Sequence, residues 1–301
     1  MMLETLSNCP VCNGKHFDPF LDVQDHSVSH GTFHIVKCKK CGFLFTNPRP
    51  GEESIASFYD SSAYLSHHDE ADSLMSKVYN QVRKLAVKSK LDLIRKYDQH
   101  PEKQILDIGC GTGFFVKSCL DQNWQAMGTE PDKDARTEAQ KRSGAPVYAS
   151  IFEPDLEKKT YTSITMWHVL EHIHRLEETM SWLYQHLAPK GTLFIAVPNP
   201  QSYDSQVFGK HWAAYDVPRH LYHFTKDTME KLLQHYNFAI TDLKCMVFDS
   251  YYVSLLSNQY KNKSGRILSS ILTGTLSNIK GFGTNPHNTN TSSIIYIAHK
   301  K

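Results

Sequence analysis

The sequence predicts an α/β chain in which a doubly wound, mostly parallel sheet follows a small cysteine-built module. Three observations carry this. From residue 104 onward short apolar runs alternate with helical patterns, which implies right-handed crossovers and a parallel sheet. The first run, Gln104-Ile105-Leu106-Asp107-Ile108, ends in glycines at 109, 111 and 113 and passes at once into a helical pattern, Phe114–Leu120. Residues 9–41 hold two C-x-x-C pairs, Cys9/Cys12 and Cys38/Cys41.

Composition narrows the class. At 301 residues the chain is long enough for one large domain or two. A formal charge of +2 builds in no strong pull toward nucleic acid or anionic membrane. No apolar run approaches the ~18–20 residues that span a bilayer, and the N-terminus runs into Asn8, Cys9 and Pro10 without an apolar signal core. A soluble, cytoplasmic protein is expected, and nothing in the sequence opposes a homodimer.

In chain order, the cysteines come first. Two C-x-x-C pairs separated by a few tens of residues suit Zn2+. Gly14 and Gly42 stand beside them, where a tight turn can aim backbone amides at sulfur, and Phe33–Val36 reads as a strand leading into the second pair. Four cysteines leave no open position for water, so the expected ion is structural. Four unliganded thiols are the alternative; disulfides need an oxidising compartment, for which nothing speaks. This zinc-ribbon-like module is placed at residues 1–50. A proline-rich break, 46–51, precedes a short helix at 52–60 and a longer one at about 72–97, whose apolar residues Leu74, Val78, Val82, Leu85, Leu91 and Ile94 recur near helical period. Residues 51–100 are expected to be a helical linker or lid, with packing against the domain the favoured role of the longer helix.

The sheet domain is placed at 101–301. After the first run, Trp124–Thr129 is a second strand, 132–142 a charged helix, Pro146–Ala149 a third strand and Ser163–Trp167 a fourth. Leu170–Leu187 reads as one long helix, and Thr192–Val197 as a fifth strand. Residues 198–224 interrupt the rhythm as an insertion. Thr225 suits the N-cap of a helix to Tyr236. Phe238–Phe248 reads as a sixth strand and Ser293–His299 as a last one. Between them, 250–273 is apolar with mixed period, and 274–291, rich in Ser, Thr, Asn and Gly, reads as a mobile loop, so 250–291 is a second insertion.

In such sheets ligands bind beyond the carboxyl ends of the strands. The glycine spacing is G-x-G-x-G; Phe114 stands where a dinucleotide fingerprint has its third glycine, and no Lys-Ser/Thr pair comes directly after a glycine, as a phosphate loop requires. The string Asp107-Ile-Gly109-Cys110-Gly111-Thr-Gly113 resembles the first motif of the class I S-adenosylmethionine-dependent methyltransferases. The resemblance implies a Rossmann-like, doubly wound sheet of seven strands, the last antiparallel beside the sixth. Glu130 ends the second strand, where a carboxylate accepts from ribose hydroxyls; that fits a sulfonium nucleoside or a dinucleotide equally. Asp107 is placed to hold the turn or meet the cofactor ammonium. The resemblance further assigns Ser150 and Ile151 to the adenine, and Trp167 and His168 to the cofactor side of the fourth strand's end. It also implies that Tyr59 and Tyr64 of the preceding segment close over the cofactor.

The acceptor side is less constrained. His168, Glu171 and His172 share one face if the helix has begun. The insertion gathers Asp216, Arg219, His220, Tyr222 and His223 within eight residues. Methyl transfer to a hydroxyl needs alignment and proton removal, which histidine performs near neutral pH. The candidate bases are His220, His223 and then His172; the alternative is a loop pinned by Arg and His hydrogen bonds. Pro218-Arg-His-Leu-Tyr-His-Phe-Thr225 resembles a bacterial methyltransferase subgroup that also carries an N-terminal four-cysteine module. The expected activity is methyl transfer from S-adenosylmethionine, leaving S-adenosylhomocysteine, to a small-molecule or glycan-precursor acceptor, with a hydroxyl oxygen favoured. The Asn/Asp-Pro-Pro-aromatic stretch of enzymes methylating nucleobase amines is absent, which speaks against DNA. RNA modification, with Lys37, Lys39 and Lys40 of the cysteine module gripping RNA, is weakened by the near-neutral charge. An NAD-dependent sugar-modifying enzyme and a zinc-mediated interaction protein are the other readings.

Overall fold

The computed structural model describes residues 3–59, 74–262, 267–282 and 289–301. Its main sheet has seven strands: β6 (Gln104–Ile108), β7 (Gln125–Thr129), β8 (Val147–Tyr148), β9 (Tyr161–Trp167), β10 (Leu187–Pro198), β12 (Phe238–Cys245) and β13 (Ser293–Lys300). Their spatial order is β12-β13-β10-β9-β6-β7-β8, and β13 runs antiparallel to both β10 and β12, as expected for the last strand. β9 is buried along its whole length and β6 along nearly all of it, as strands covered on both faces must be. The order reverses at β6: β7 and β8 lie to one side, β9 and β10 to the other. The crevice beyond the carboxyl ends of β6 and β9 is therefore the switch point where ligands bind in such sheets.

The N-terminal residues form β1 (Leu3–Glu4), β2 (Phe17–Gln24), β3 (Thr32–Cys38), β4 (Leu44–Thr46) and β5 (Arg49–Pro50). A second sheet has the order β11-β4-β3-β2. Its edge strand β11 (Tyr222–His223) comes from the insertion that follows β10 and pairs Tyr222 with Phe45. The Thr46 amide donates to the Leu221 carbonyl at 3.0 Å and its hydroxyl to the His220 carbonyl at 2.8 Å. Phe43 and Phe45 are fully buried in one core with Ile108, Leu170, Leu221, Phe224 and Met229. At about 1.5–3 kcal/mol for each such side chain, this shared core ties the cysteine module to the sheet domain.

The α-helices are α1 (Leu74–Tyr97), α2 (Phe114–Leu120), α3 (Lys133–Ser143), α4 (Leu176–His186), α5 (Tyr203–Phe208), α6 (Lys226–His235), α7 (Val247–Asn262) and α8 (Ile267–Gly281). The predicted cap of α6 is present: Thr225 Oγ1 accepts from the Thr228 amide, and Thr228 Oγ1 from the Thr225 amide. Three expectations are corrected. The single helix over 170–187 is a 3-10 turn, Leu170–His172, followed by α4 from Leu176. The short helix at 52–60 is a 3-10 turn, Ile55–Phe58. Residues 274–281 of the stretch read as a mobile loop belong to α8, packed on α7 in a hairpin. This hairpin buries polar residues: Asn258 Nδ2 donates to Ser270 Oγ at 2.7 Å, and Ser250 Oγ to Asn278 Oδ1 at 2.9 Å. Ile267, Leu268, Ile271 and Leu272 face outward. No helix among the described residues is long and apolar enough to cross a membrane.

Candidate functional site

The glycine turn is built for a close approach. Gly109, Gly111 and Gly113 all have positive φ (70°, 54° and 80°), a region that glycine enters without cost. A Cβ on Gly109 would lie 2.4 Å from Val169 Cγ2, and one on Gly113 2.8 Å from the Ala139 backbone. Cys110 fills a notch over Gly128 of β7, where a Cβ would lie 2.6 Å from its sulfur. Phe114 lies between two guanidinium groups, Arg83 at 3.8 Å and Arg142 at 3.9 Å from its ring centroid. Asp107, on β6, is buried and accepts from Thr165 Oγ1 at 2.6 Å. Burial pushes its carboxyl up to about 7, although Thr165 and the Lys90 ammonium pull the other way.

Glu130 closes the turn from the end of β7. Its Oε2 accepts from the Gly111 amide at 2.9 Å and its Oε1 from the Asp132 amide at 3.0 Å. Burial raises its pKa against those amides. Each oxygen keeps a lone pair for a further donor. Beyond β8, Ile151 is buried, and Ser150 Oγ accepts from the Phe152 amide at 3.2 Å. Trp167 ends β9 buried, edge-on to Phe115 and with Lys90 Nζ 4.6 Å from its ring centroid; its indole N–H has no partner.

His168 follows in the left-handed region, φ 58°. It therefore does not share a helical face with Glu171 and His172, which lie on the 3-10 turn. Its Nε2 is 2.7 Å from Asp249 of α7 and its Nδ1 3.3 Å from Glu171 Oε1. Burial disfavours its charge, but the Asp249 and Glu171 carboxylates outweigh it and hold the pKa up to about 10. Asp249 and Lys90 carried no signal in the sequence; only the docking of α7 and α1 brings them here.

Glu171, His172 and His220 form a cluster at the same end of the sheet. Glu171 is fully buried, and its carbonyl holds the Leu221 amide at 2.8 Å. The rings of His172 and His220 meet edge to face, centroids 4.6 Å apart. His172 Nδ1 lies 3.0 Å from the Arg219 carbonyl and 3.0 Å from the Tyr59 hydroxyl. His220 Nδ1 lies 2.9 Å from the Ala214 carbonyl. A carbonyl only accepts, so in both rings Nδ1 carries the proton and Nε2 the lone pair. Burial, then the neighbouring His172, keeps His220 neutral by pulling its pKa well down. His223 is elsewhere: it sits on β11 with its Nε2 3.3 Å from Thr46 Oγ1, stacked edge-on against Tyr215, and burial takes its pKa to about 3. Tyr59 reaches the cluster; Tyr64 lies outside the described residues.

The four cysteines converge. Cys9 and Cys41 sulfurs are 3.6 Å apart, as are those of Cys12 and Cys38, close to the ~3.8 Å expected between thiolates set tetrahedrally ~2.3 Å from one ion. Amides of Val11 and Cys12 point at the Cys9 sulfur, and those of Lys40 and Cys41 at that of Cys38. Gly14 lies against both Cys12 and Cys38, its would-be Cβ 3.2 Å from the Cys38 sulfur.

Comparison with known proteins bears on the domain as a whole. A family model for a methyltransferase domain matches residues 79–243. The malonyl-acyl-carrier-protein O-methyltransferase of Halalkalibacterium halodurans is 27% identical over 193 residues, which is 58% of this chain and 71% of that protein. The ubiquinone biosynthesis O-methyltransferase of Rickettsia typhi is 27% identical over 177 residues, 55% of this chain and 70% of that one. Among solved structures, magnesium protoporphyrin IX methyltransferase from Synechocystis PCC 6803 with bound SAH superposes with a TM-score of 0.52 at 14% identity, covering 82% of this chain and 98% of that chain. That likeness is one of fold.

Proposed function

The chain belongs to the class I S-adenosylmethionine-dependent methyltransferases, and on that premise we propose that it methylates a hydroxyl oxygen of a small-molecule or sugar acceptor. The carrying observation is the pairing of the open glycine turn with Glu130 at the sheet's switch point. Asp107, Gly109, Cys110, Gly111 and Gly113 shape the cofactor cradle, Glu130 offers its free lone pairs to the ribose, Ser150 and Ile151 flank the adenine, and Trp167 and His168 face the methionine end. When bound, S-adenosylmethionine supplies an electrophilic methyl carbon whose bond to sulfur breaks, the electron pair staying on sulfur, as the acceptor oxygen bonds to carbon. The protein aligns that oxygen and receives its proton.

We assign proton removal to the Glu171–His172–His220 cluster, where both Nε2 atoms carry lone pairs. His223, tied to Thr46 and held neutral, has a positioning role instead: it fastens β11 and so the loop bearing His220. An oxygen acceptor is supported by the two relatives, both O-methyltransferases. The RNA reading loses support because Lys39 pairs with Asp18, and Lys40 donates to the Cys12 carbonyl. The four cysteines are assigned a structural Zn2+, which their sulfur spacing fits. Incubating the protein with methyl-labelled S-adenosylmethionine and a metabolite extract tests the reading: label should enter a small-molecule fraction as a base-stable ether. Label in RNA alone, or none despite bound cofactor, would overturn it.

A further inference from the structure

The geometry points to a second metal site, for a divalent first-row transition ion, formed by Glu171, His172 and His220 beside the methyl-transfer crevice and separate from the cysteines. One ligand atom from each residue lies within 4.8 Å of the other two. Ligands ~2.1 Å from one ion lie ~3–4 Å apart, so the three residues stand close to the spacing that one ion requires. Both histidines are held as ligating imidazoles are: Nδ1–H donates to a backbone carbonyl, Arg219 for His172 and Ala214 for His220, which fixes the tautomer and leaves Nε2 free to bind.

The third observation is independent of the histidines. Glu171 is 0% exposed, and its Oε2 has no hydrogen-bond partner, while Oε1 meets His168 at 3.3 Å. A buried carboxylate oxygen without a donor is costly, and a cation at the cluster removes that cost. The Asp216 carboxylate, paired with Arg219, lies 3.8 Å from His220 Nε2 and adds negative charge at the rim. Two imidazoles and one carboxylate suit Zn2+, Fe2+ or Co2+ and leave coordination positions open. Resting on the methyl-transfer reading, an ion there would occupy the Nε2 lone pairs that serve as base without it. The cluster would instead acidify an acceptor hydroxyl bound at an open position, as a metal acidifies bound water, the proton passing to solvent water before the oxygen takes the methyl carbon from sulfur.

The test is metal uptake by the full-length chain, with its cysteine cluster loaded with Zn2+ and no methyl donor present. Titration with Co2+ should show one further equivalent, with the weak visible bands of nitrogen and oxygen ligation and no intense thiolate charge-transfer band. Glu171→Gln and His172→Asn should each weaken Co2+ binding by at least about 10–100-fold while Zn2+ content stays the same. His172 is only half-buried, so its variant keeps the fold and decides the matter if Glu171→Gln does not fold. No uptake beyond the cysteine equivalent, or unchanged uptake in His172→Asn, would overturn the site. Co2+ uptake in a protein that transfers no methyl group would retain the site and remove only the functional reading.

Discussion

Replacing Gly113 by alanine tests whether the shape of the turn admits the cofactor. Two costs meet there. Its φ of 80° puts an alanine in the left-handed region, at about 1–2 kcal/mol. The new Cβ would also stand 2.8 Å from the Ala139 backbone and 2.9 Å from its Cβ, where carbon contacts normally settle at ~3.5–4.0 Å. The turn and α3 must part by most of an ångström, and such overpacking typically costs about 1–3 kcal/mol. Gly144→Ala is the matched control: its φ is 71°, but nothing lies within 4 Å of the would-be Cβ. Urea denaturation should therefore show Gly144→Ala losing about 1–2 kcal/mol and Gly113→Ala about 1–3 kcal/mol more. A displaced turn also carries away the Gly111 amide that holds Glu130. Calorimetric titration should find S-adenosylmethionine affinity at least about tenfold lower, ~1.4 kcal/mol, in Gly113→Ala and nearly unchanged in Gly144→Ala. Equal stability and equal affinity in the two variants would refute the reasoning.

Asp107 makes a pH prediction. Its folded-state pKa of about 7 exceeds the unfolded value of ~3.9, so between these the folded state holds more protons and stability falls as pH rises, by at most about 1.4 kcal/mol per unit. Asp107→Asn should remove this slope between pH 4 and 7 in denaturation midpoints; an identical slope in both proteins would contradict it. Glu130→Ala removes the acceptor of the Gly111 and Asp132 amides and should weaken S-adenosylmethionine by about ten- to a hundredfold, at ~1.4 kcal/mol per decade; unaltered affinity would argue that Glu130 does not hold the ribose. Stripping metal from the cysteines with a strong chelator should unfold the β2–β4 sheet, seen as lost far-ultraviolet ellipticity. Because β11 leaves with it, methyl transfer should fall in step with Zn2+ content, and full activity in zinc-free protein would count against a structural ion.

Much of this was legible from residue order. Apolar runs gave the strands because β6, β9 and β10 are buried on both faces, and Thr225 marked α6 because its hydroxyl caps it. The α7–α8 hairpin was missed because it inverts the usual rule: Ser, Asn and Gly face inward, bonded to one another and to Asp204, while Ile and Leu face out. The helix over 170–187 was overextended because Leu170 and Ile173 keep the period while the chain makes a 3-10 turn, and Arg175 offers no side-chain cap. The cluster itself needs residues 171–172 and 220 brought together, and β11, two residues long, does that through pairing that no local pattern encodes.

The most direct measurement is calorimetric titration of the full-length protein with S-adenosylmethionine and, separately, with NAD. Saturable binding of the sulfonium nucleoside, weakened by Glu130→Ala, and no heat with NAD are expected. Tight NAD binding with none for S-adenosylmethionine would contradict that expectation.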